Sequence, residues 1–177
     1  MTVTTSVNPT IRRLARLDDA HVGRLADLLV DSVDDGASVG FMAPLARDKA
    51  VAFWRGVADG VATGDRALLV AEDDDGIIGT VHLILAQPEN QPHRADLTKM
   101  LVHPRARRGG VGARLMEAVE GMARDCGKTL LVLDTVTGSD AERLYSRLGW
   151  IRVGEIPEFA LLASGGLWGT IVFYKKL

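Results

Sequence analysis

Arg107-Arg108-Gly109-Gly110-Val111-Gly112 has the composition of an anion site made from main chain. Glycines at 109, 110 and 112 leave the amides unobstructed, and apolar residues at helical spacing begin at Val111. A helix N-terminus offers N–H groups without intrahelical partners and the positive end of the helix dipole, so negative charge is favoured there. Arg107 and Arg108 add formal charge at the rim. An apolar run ends just upstream at Val102-His103-Pro104. Strand, glycine turn and helix in that order point to a nucleotide or coenzyme pyrophosphate as ligand.

Other chemistries suggested by short patterns fail on context. Gly36-Ala37-Ser38-Val39-Gly40 fits the G-x-S-x-G of a hydrolase nucleophile elbow, but an elbow needs a strand before the serine, and a helical pattern precedes this one. A glycine-hinged loop is the expected reading. Asp73-Asp74-Asp75 has consecutive carboxylates, and the twelfth position from Asp73 is Ile84 where a calcium loop needs Glu, so a solvated turn is expected. His21, His82, His93 and His103 lack zinc-site spacing, and Cys126 alone cannot start a cluster; no metal is expected. A dinucleotide fold competes for the glycine turn, since Asp134 lies where a ribose-binding acid would. It lacks the third glycine, replaced by Leu115, and there is no second mononucleotide half.

The elements that must hold the turn follow from periodicity. Val22, Leu25, Leu29 and Val33 mark a helix after Asp18 and Asp19, ending near Gly36. A second helix is expected from Pro44, a suitable first helical residue, through Trp54 and Val57 to Gly64. Residues 66–72 and 77–86 read as strands closed by an Asp-Gly turn. Strand 95–103, helix 111–126 and strand 129–135 form a βαβ crossover, so those two strands should be parallel. Ser139 caps a short helix with Ala141, Leu144, Tyr145 and Leu148 on one face, and strands near 150–156 and 168–175 follow. Cys126 continues the stripe Val111, Leu115, Val119, Met122 and reads as core filler.

At 177 residues the chain suits one domain, expected over 10–177 after a flexible tail at 1–9 that lacks the features of a signal peptide. The net charge of −2 gives no nucleic-acid footprint, and no apolar run is long enough to span a membrane. A single cysteine fits a reducing compartment, so a cytoplasmic location is expected. A homodimer is neither required nor excluded.

Met100-Leu101-Val102-His103-Pro104 with Arg107-x-x-Gly110-x-Gly112 resembles motif A of the GNAT N-acetyltransferase superfamily, and Ala141 through Trp150 resembles its motif B. Residues 36–43, Leu133-Asp134-Thr135 and Arg152-Val153-Gly154-Glu155 add a narrower similarity to tabtoxin-resistance acetyltransferases. The resemblance implies an α/β (α+β) fold: a mixed, mostly antiparallel sheet with a splayed parallel pair and helices on both faces. It implies acetyl transfer from acetyl-coenzyme A, as co-substrate, to a primary amine in a direct ternary complex.

The same resemblance distributes the roles. Amides of Arg108, Gly109, Gly110, Val111, Gly112 and Ala113, with Arg107, would hold the pyrophosphate, and the edge of Met100, Leu101 and Val102 would pair with pantetheine. The amine must lose a proton and the thiolate benefits from gaining one. Tyr145 matches the motif B tyrosine and is the expected general acid; packing as a half-buried aromatic is the alternative. Asp134, at a strand end beside the splay, is favoured as base over Asp96, with a water as a third choice. Gly138 stands where many relatives carry Asn, so that hydrogen-bonding role is absent or moved. Ser38, Phe41, Met42 and Trp168 are expected to line the acceptor pocket, with the loop 157–168 as one wall. Such a lining suits a small amino-acid-like amine, a toxin or antibiotic acetylated for resistance among the candidates. A non-catalytic acetyl-coenzyme A sensor and a protein or peptide N-acetyltransferase are the alternatives.

Overall fold

The computed structural model describes residues 9–177. Most of the expected tail, Met1 to Asn8, lies outside the described residues, while Pro9 is buried. The order is β1 (Thr10–Leu14), α1 (Asp19–Asp34), α2 (Arg47–Thr63), β2 (Arg66–Asp73), β3 (Gly76–Ile84), β4 (Arg94–Val102), α3 (Val111–Asp125), β5 (Leu130–Val136), α4 (Asp140–Arg147), β6 (Ile151–Leu161) and β7 (Leu167–Lys176). The seven strands form one sheet in the order β1-β2-β3-β4-β5-β7-β6. Among the described residues only β4 and β5 pair in parallel, as the crossover through α3 requires.

Two apolar layers sandwich the sheet. On one face α1 and α2 bury Leu25, Leu29, Trp54 and Val57 against Leu68, Val70 and Leu101. On the other, α3 sets Val111, Leu115, Met116 and Val119 against Leu69, Val81 and Leu83, with Tyr145 of α4 and Phe173 of β7 completing the layer. Alternation along the strands sends successive side chains to opposite layers. Gly79 of β3 lets α3 approach closely: a Cβ there would lie 3.0 Å from Leu115 Cδ1 and 3.0 Å from the Leu101 carbonyl. Cys126, at the C-cap of α3, packs partly buried on this layer.

Three departures from the sequence reading have local causes. β1 was not anticipated, because Thr10–Leu14 carries little apolar alternation; pairing with β2 and an Arg12–Glu72 ion pair hold it. α2 begins at Arg47 and not at Pro44. The backbone before it is committed elsewhere, Ala43 N–H donating to the Ala163 carbonyl at 2.9 Å and Leu45 N–H to Asp34 Oδ1 at 3.1 Å. The expected 157–168 loop is mostly strand, since β6 runs on to Leu161 and β7 starts at Leu167. β6 is an edge strand, and its register shifts between Ile156 and Ala160, the setting in which a strand tolerates Pro157.

Candidate active site

The cleft begins where the parallel pair comes apart. β4 and β5 are registered only at Arg94↔Leu130, Ala95↔Leu131 and Asp96↔Val132. Beyond Asp96, β4 keeps its partner β3 and β5 keeps β7, so the gap lies between them. A bulge drives the separation: Thr98 faces His82 and Leu101 faces Thr80, leaving Lys99 and Met100 together opposite Val81. Lys99 adopts the left-handed φ of 51°, rare for a residue with a side chain. A cleft of about 1420 Å³ opens there, lined among others by Met100, Leu101, Val102, Arg107, Arg108, Gly110, Val111, Gly112, Ala113, Asp134 and Tyr145.

At one end the wall is backbone. After Pro104–Ala106, a 3-10 turn, Arg108 (φ 62°) and Gly110 (φ 80°) both take left-handed conformations, turning the chain into α3 with Gly110 as N-cap. Among the described residues no side chain caps that helix start. A Cβ at Gly110 would meet no protein atom within 4 Å, so the space above this residue is open. This suits a pyrophosphate: open main chain at a helix start whose first N–H groups lack partners inside the helix. Gly112 differs, since a Cβ there would come within 3.3 Å of Leu144 Cδ2; it lets α3 pack on α4. Arg107 is engaged inside the protein, its guanidinium donating to Asp35 and, at 3.3 Å, to the Val102 carbonyl. It ties the end of α1 to β4, and the exposed Arg108 carries the rim charge.

The groups expected to handle protons also line the cleft. Tyr145 is 5% exposed, with its ring against Trp150 and Phe173. Burial, reinforced by the charge of Asp134, pushes its phenol above the usual range, so it stays protonated. Asp134 is exposed on the cleft side of β5, and Thr170 Oγ1 donates to its Oδ2 at 2.9 Å. Asp96 lines the cleft too, but its carboxylate is paired with Arg94 and accepts from Gln87 Nε2 at 3.0 Å. At Gly138 the N–H donates to Glu142 Oε2 at 2.6 Å, and Ser139 accepts from Glu142 N–H at 3.1 Å, capping α4 and fixing Tyr145 in the cleft.

The expected acceptor residues divide. Ser38 and Trp168 line the cleft, the latter half-exposed with its indole N–H donating to the Thr137 carbonyl at 3.0 Å. Phe41 and Met42 do not. Phe41 packs edge-on against Phe53 with centroids 5.4 Å apart, and Met42 is exposed to solvent. Gly36 to Gly40 follows α1 with no strand before it, so an elbow is not formed. Sequence reading missed Lys99, which lines the cleft, and His82, fully buried beneath it. A lysine interrupting the apolar run Leu97–Val102 was the available signal.

Known proteins agree with this architecture. The Acetyltransferase (GNAT) domain family matches residues 64–152. An uncharacterized N-acetyltransferase from the hisH-hisA intergenic region of Azospirillum brasilense is 35% identical over 127 residues, covering 71% of this chain and 74% of that protein. The ribosomal-protein-alanine N-acetyltransferase of Brucella melitensis superposes with a TM-score of 0.79 at 20% identity, over 95% of this chain and 99% of that one. The structure of yncA from Salmonella typhimurium with its cofactor acetyl-CoA gives 0.78 at 20% identity, over 96% and 94%. The mixed sheet with its splayed β4–β5 pair thus has the fold of an N-acetyltransferase. The chain belongs to the GNAT family of N-acetyltransferases. Among the described residues no cluster of His, Cys, Asp or Glu could hold a metal ion, and no helix is long and apolar enough to cross a membrane.

Proposed function

We propose that this enzyme acetylates the primary amine of a small, amino-acid-like molecule, using acetyl-coenzyme A in a direct ternary complex in the cytoplasm. Acetyl-coenzyme A supplies an acetyl group activated as a thioester. The residues at the open backbone end of the cleft, Arg108 to Ala113, hold the pyrophosphate, and the unpaired edge of β4 from Met100 to Val102 pairs with the pantetheine arm. An N–H of that edge aimed at the thioester carbonyl stabilises negative charge as it develops there.

Asp134 receives the proton of the acceptor ammonium, directly or through a water, while Thr170 holds its carboxylate in place. Tyr145 gives its proton to the departing sulfur; a phenol kept protonated by burial is loaded for that role. Asp96 is less available for that role because Arg94 and Gln87 already occupy its oxygens.

The observation that carries the acceptor class is the side-chain lining at the far end. Ser38, Asp134 and Trp168 are interspersed with apolar Phe159 and Leu162, without the acidic groove a polycationic aminoglycoside or basic peptide would need. The narrower similarity to tabtoxin-resistance enzymes in residues 36–43 and 133–135 supports a toxin or antibiotic as acceptor. Thiol release should be measured with small amino-acid-like amines, peptides and aminoglycosides in parallel. Turnover confined to the first group is the expected result. Preference for peptides, unaffected by Ser38→Ala, would show a protein acetyltransferase instead. Acetyl-coenzyme A binding without turnover of any amine would show a sensor.

A further inference from the structure

Among the charged side chains that line the cleft, Lys99 is one that the reaction above does not use. It stands at the β4 bulge, held in a left-handed conformation that turns it out of the strand alternation. Its Nζ lies 5.3 Å from the centre of the Phe53 ring and 5.9 Å from that of Phe41, the distances of cation–π contacts. Neither an ion pair nor a hydrogen bond joins it to another described residue. Arg66, whose guanidinium lies 3.1 Å from the His82 imidazole, brings a second cation close enough to act on Lys99, and among the described residues no carboxylate is bonded to Arg66 either.

Resting on the acetyl-transfer reading above, we propose that Lys99 is a specificity-determining residue that binds the carboxylate of the acceptor, which is therefore a free α-amino acid or a close analogue. The cleft has two poles. Asp134, on β5, is the negative one and meets the ammonium to be acetylated; Lys99, on β4, is the positive one across the splay. The two feel each other's charge, Asp134 holding the Lys99 ammonium up against burial and Arg66, which push it down. A zwitterion lying across the splay satisfies both. A diamine or an aminoglycoside satisfies only Asp134 and sets a cation against Lys99, at a cost in a partly desolvated site.

Binding tests this without depending on turnover. The protein saturated with coenzyme A is titrated calorimetrically with a panel of free L-amino acids and with the same compounds as carboxamides. The expected result is that the best free acids bind roughly 10- to 100-fold more tightly than their carboxamides, the range of a charge-assisted contact. Lys99→Met should remove that difference, Lys99→Arg should retain part of it, and both should bind coenzyme A as the unaltered protein does, which also shows that they fold. Failure of every free acid to bind, equal binding of acids and carboxamides, or a difference that survives Lys99→Met overturns the proposal. Thiol release with the same panel separates the two readings. Turnover of amines without carboxylate preference leaves acetyl transfer standing and removes the role of Lys99. Carboxylate-selective binding without turnover keeps the role of Lys99 and removes acetyl transfer.

Discussion

The two ends of the cleft are made of different material. At the α3 end the wall is main chain: Arg108 and Gly110 in left-handed conformations, an uncapped helix start, and space above Gly110 that no protein atom fills. At the other end it is side chains: Lys99 over two aromatic rings, Asp134 held by Thr170, Ser38 and Trp168 on surrounding elements. Main-chain amides are the same whatever the sequence, so an end built from them serves one invariant ligand, such as a coenzyme. Side chains change with single substitutions, so the other end can be fitted to a particular acceptor while the first stays as it is. Tyr145 lines the same cleft with its ring against Trp150 and Phe173.

Substitution of Tyr145 should have the largest effect. Tyr145→Phe should lower turnover roughly 10- to 1,000-fold with little change in coenzyme affinity, overlapping the range for loss of a general acid. Steady-state kinetics beside calorimetric titration would check this. A parallel loss of affinity would mean that Tyr145 belongs to the coenzyme end as packing.

The main-chain end is broken from within by Gly110→Val. A β-branched residue is disfavoured at φ 80°, and its side chain would stand in the open space above the turn. Coenzyme A binding should weaken by about 1 to 3 kcal/mol, the scale for charge-assisted hydrogen bonds. Unchanged affinity would remove the anion-site reading.

Paired carboxylate substitutions sharpen the division on the side-chain end. Asp134→Asn should reduce kcat by about 10-fold or more, as for a lost general base, while Asp96→Asn should change it by no more than about 3-fold. The reverse ranking would move the base to β4 despite its pairing with Arg94.

A last prediction concerns the floor beneath Lys99. His82 is fully buried between Arg66, Lys99, Phe53 and Trp54, and desolvation and then those two cations push its imidazole from 6.5 to about 3. The folded state thus binds this proton less readily than the unfolded chain. Stability from a neutral His82 is complete above pH 6.5 and is lost as the pH falls from there toward 3. Between about pH 6 and 4.5, above the range where most carboxylates titrate, the unfolding free energy from denaturant titrations should fall with a slope of roughly 1.4 kcal/mol per pH unit. His82→Gln should flatten that slope. An unaltered slope would show that His82 is charged in the folded protein and that the floor is wetter than its burial implies.

Much of this protein was determined locally and so is legible in its residues. Gly110 and the helical stripe from Val111 specify a turn into α3, Ser139 caps α4, and apolar periodicity places α1, α3 and most strands within a residue or two. Those signals rest on backbone conformation and 3.6- or 2-residue repeats, which act over a few neighbours. Tertiary structure decided the rest because the interactions join distant segments. Thr10–Leu14 is a strand because β2 supplies its partner, α2 starts late because Asp34 and Ala163 claim the preceding amides, and Pro157 lies inside β6 because that strand is at the edge. The same holds within the site. Arg107 and Arg108 are adjacent and alike in sequence, yet Asp35 takes the first and leaves the second at the rim. Asp96 and Asp134 are equivalent as residue types, and only Arg94 and Gln87 beside one, with Thr170 beside the other, set them apart. Lys99 is set at the cleft wall by the bulge against β3, a register event between two strands that neither strand's own sequence records.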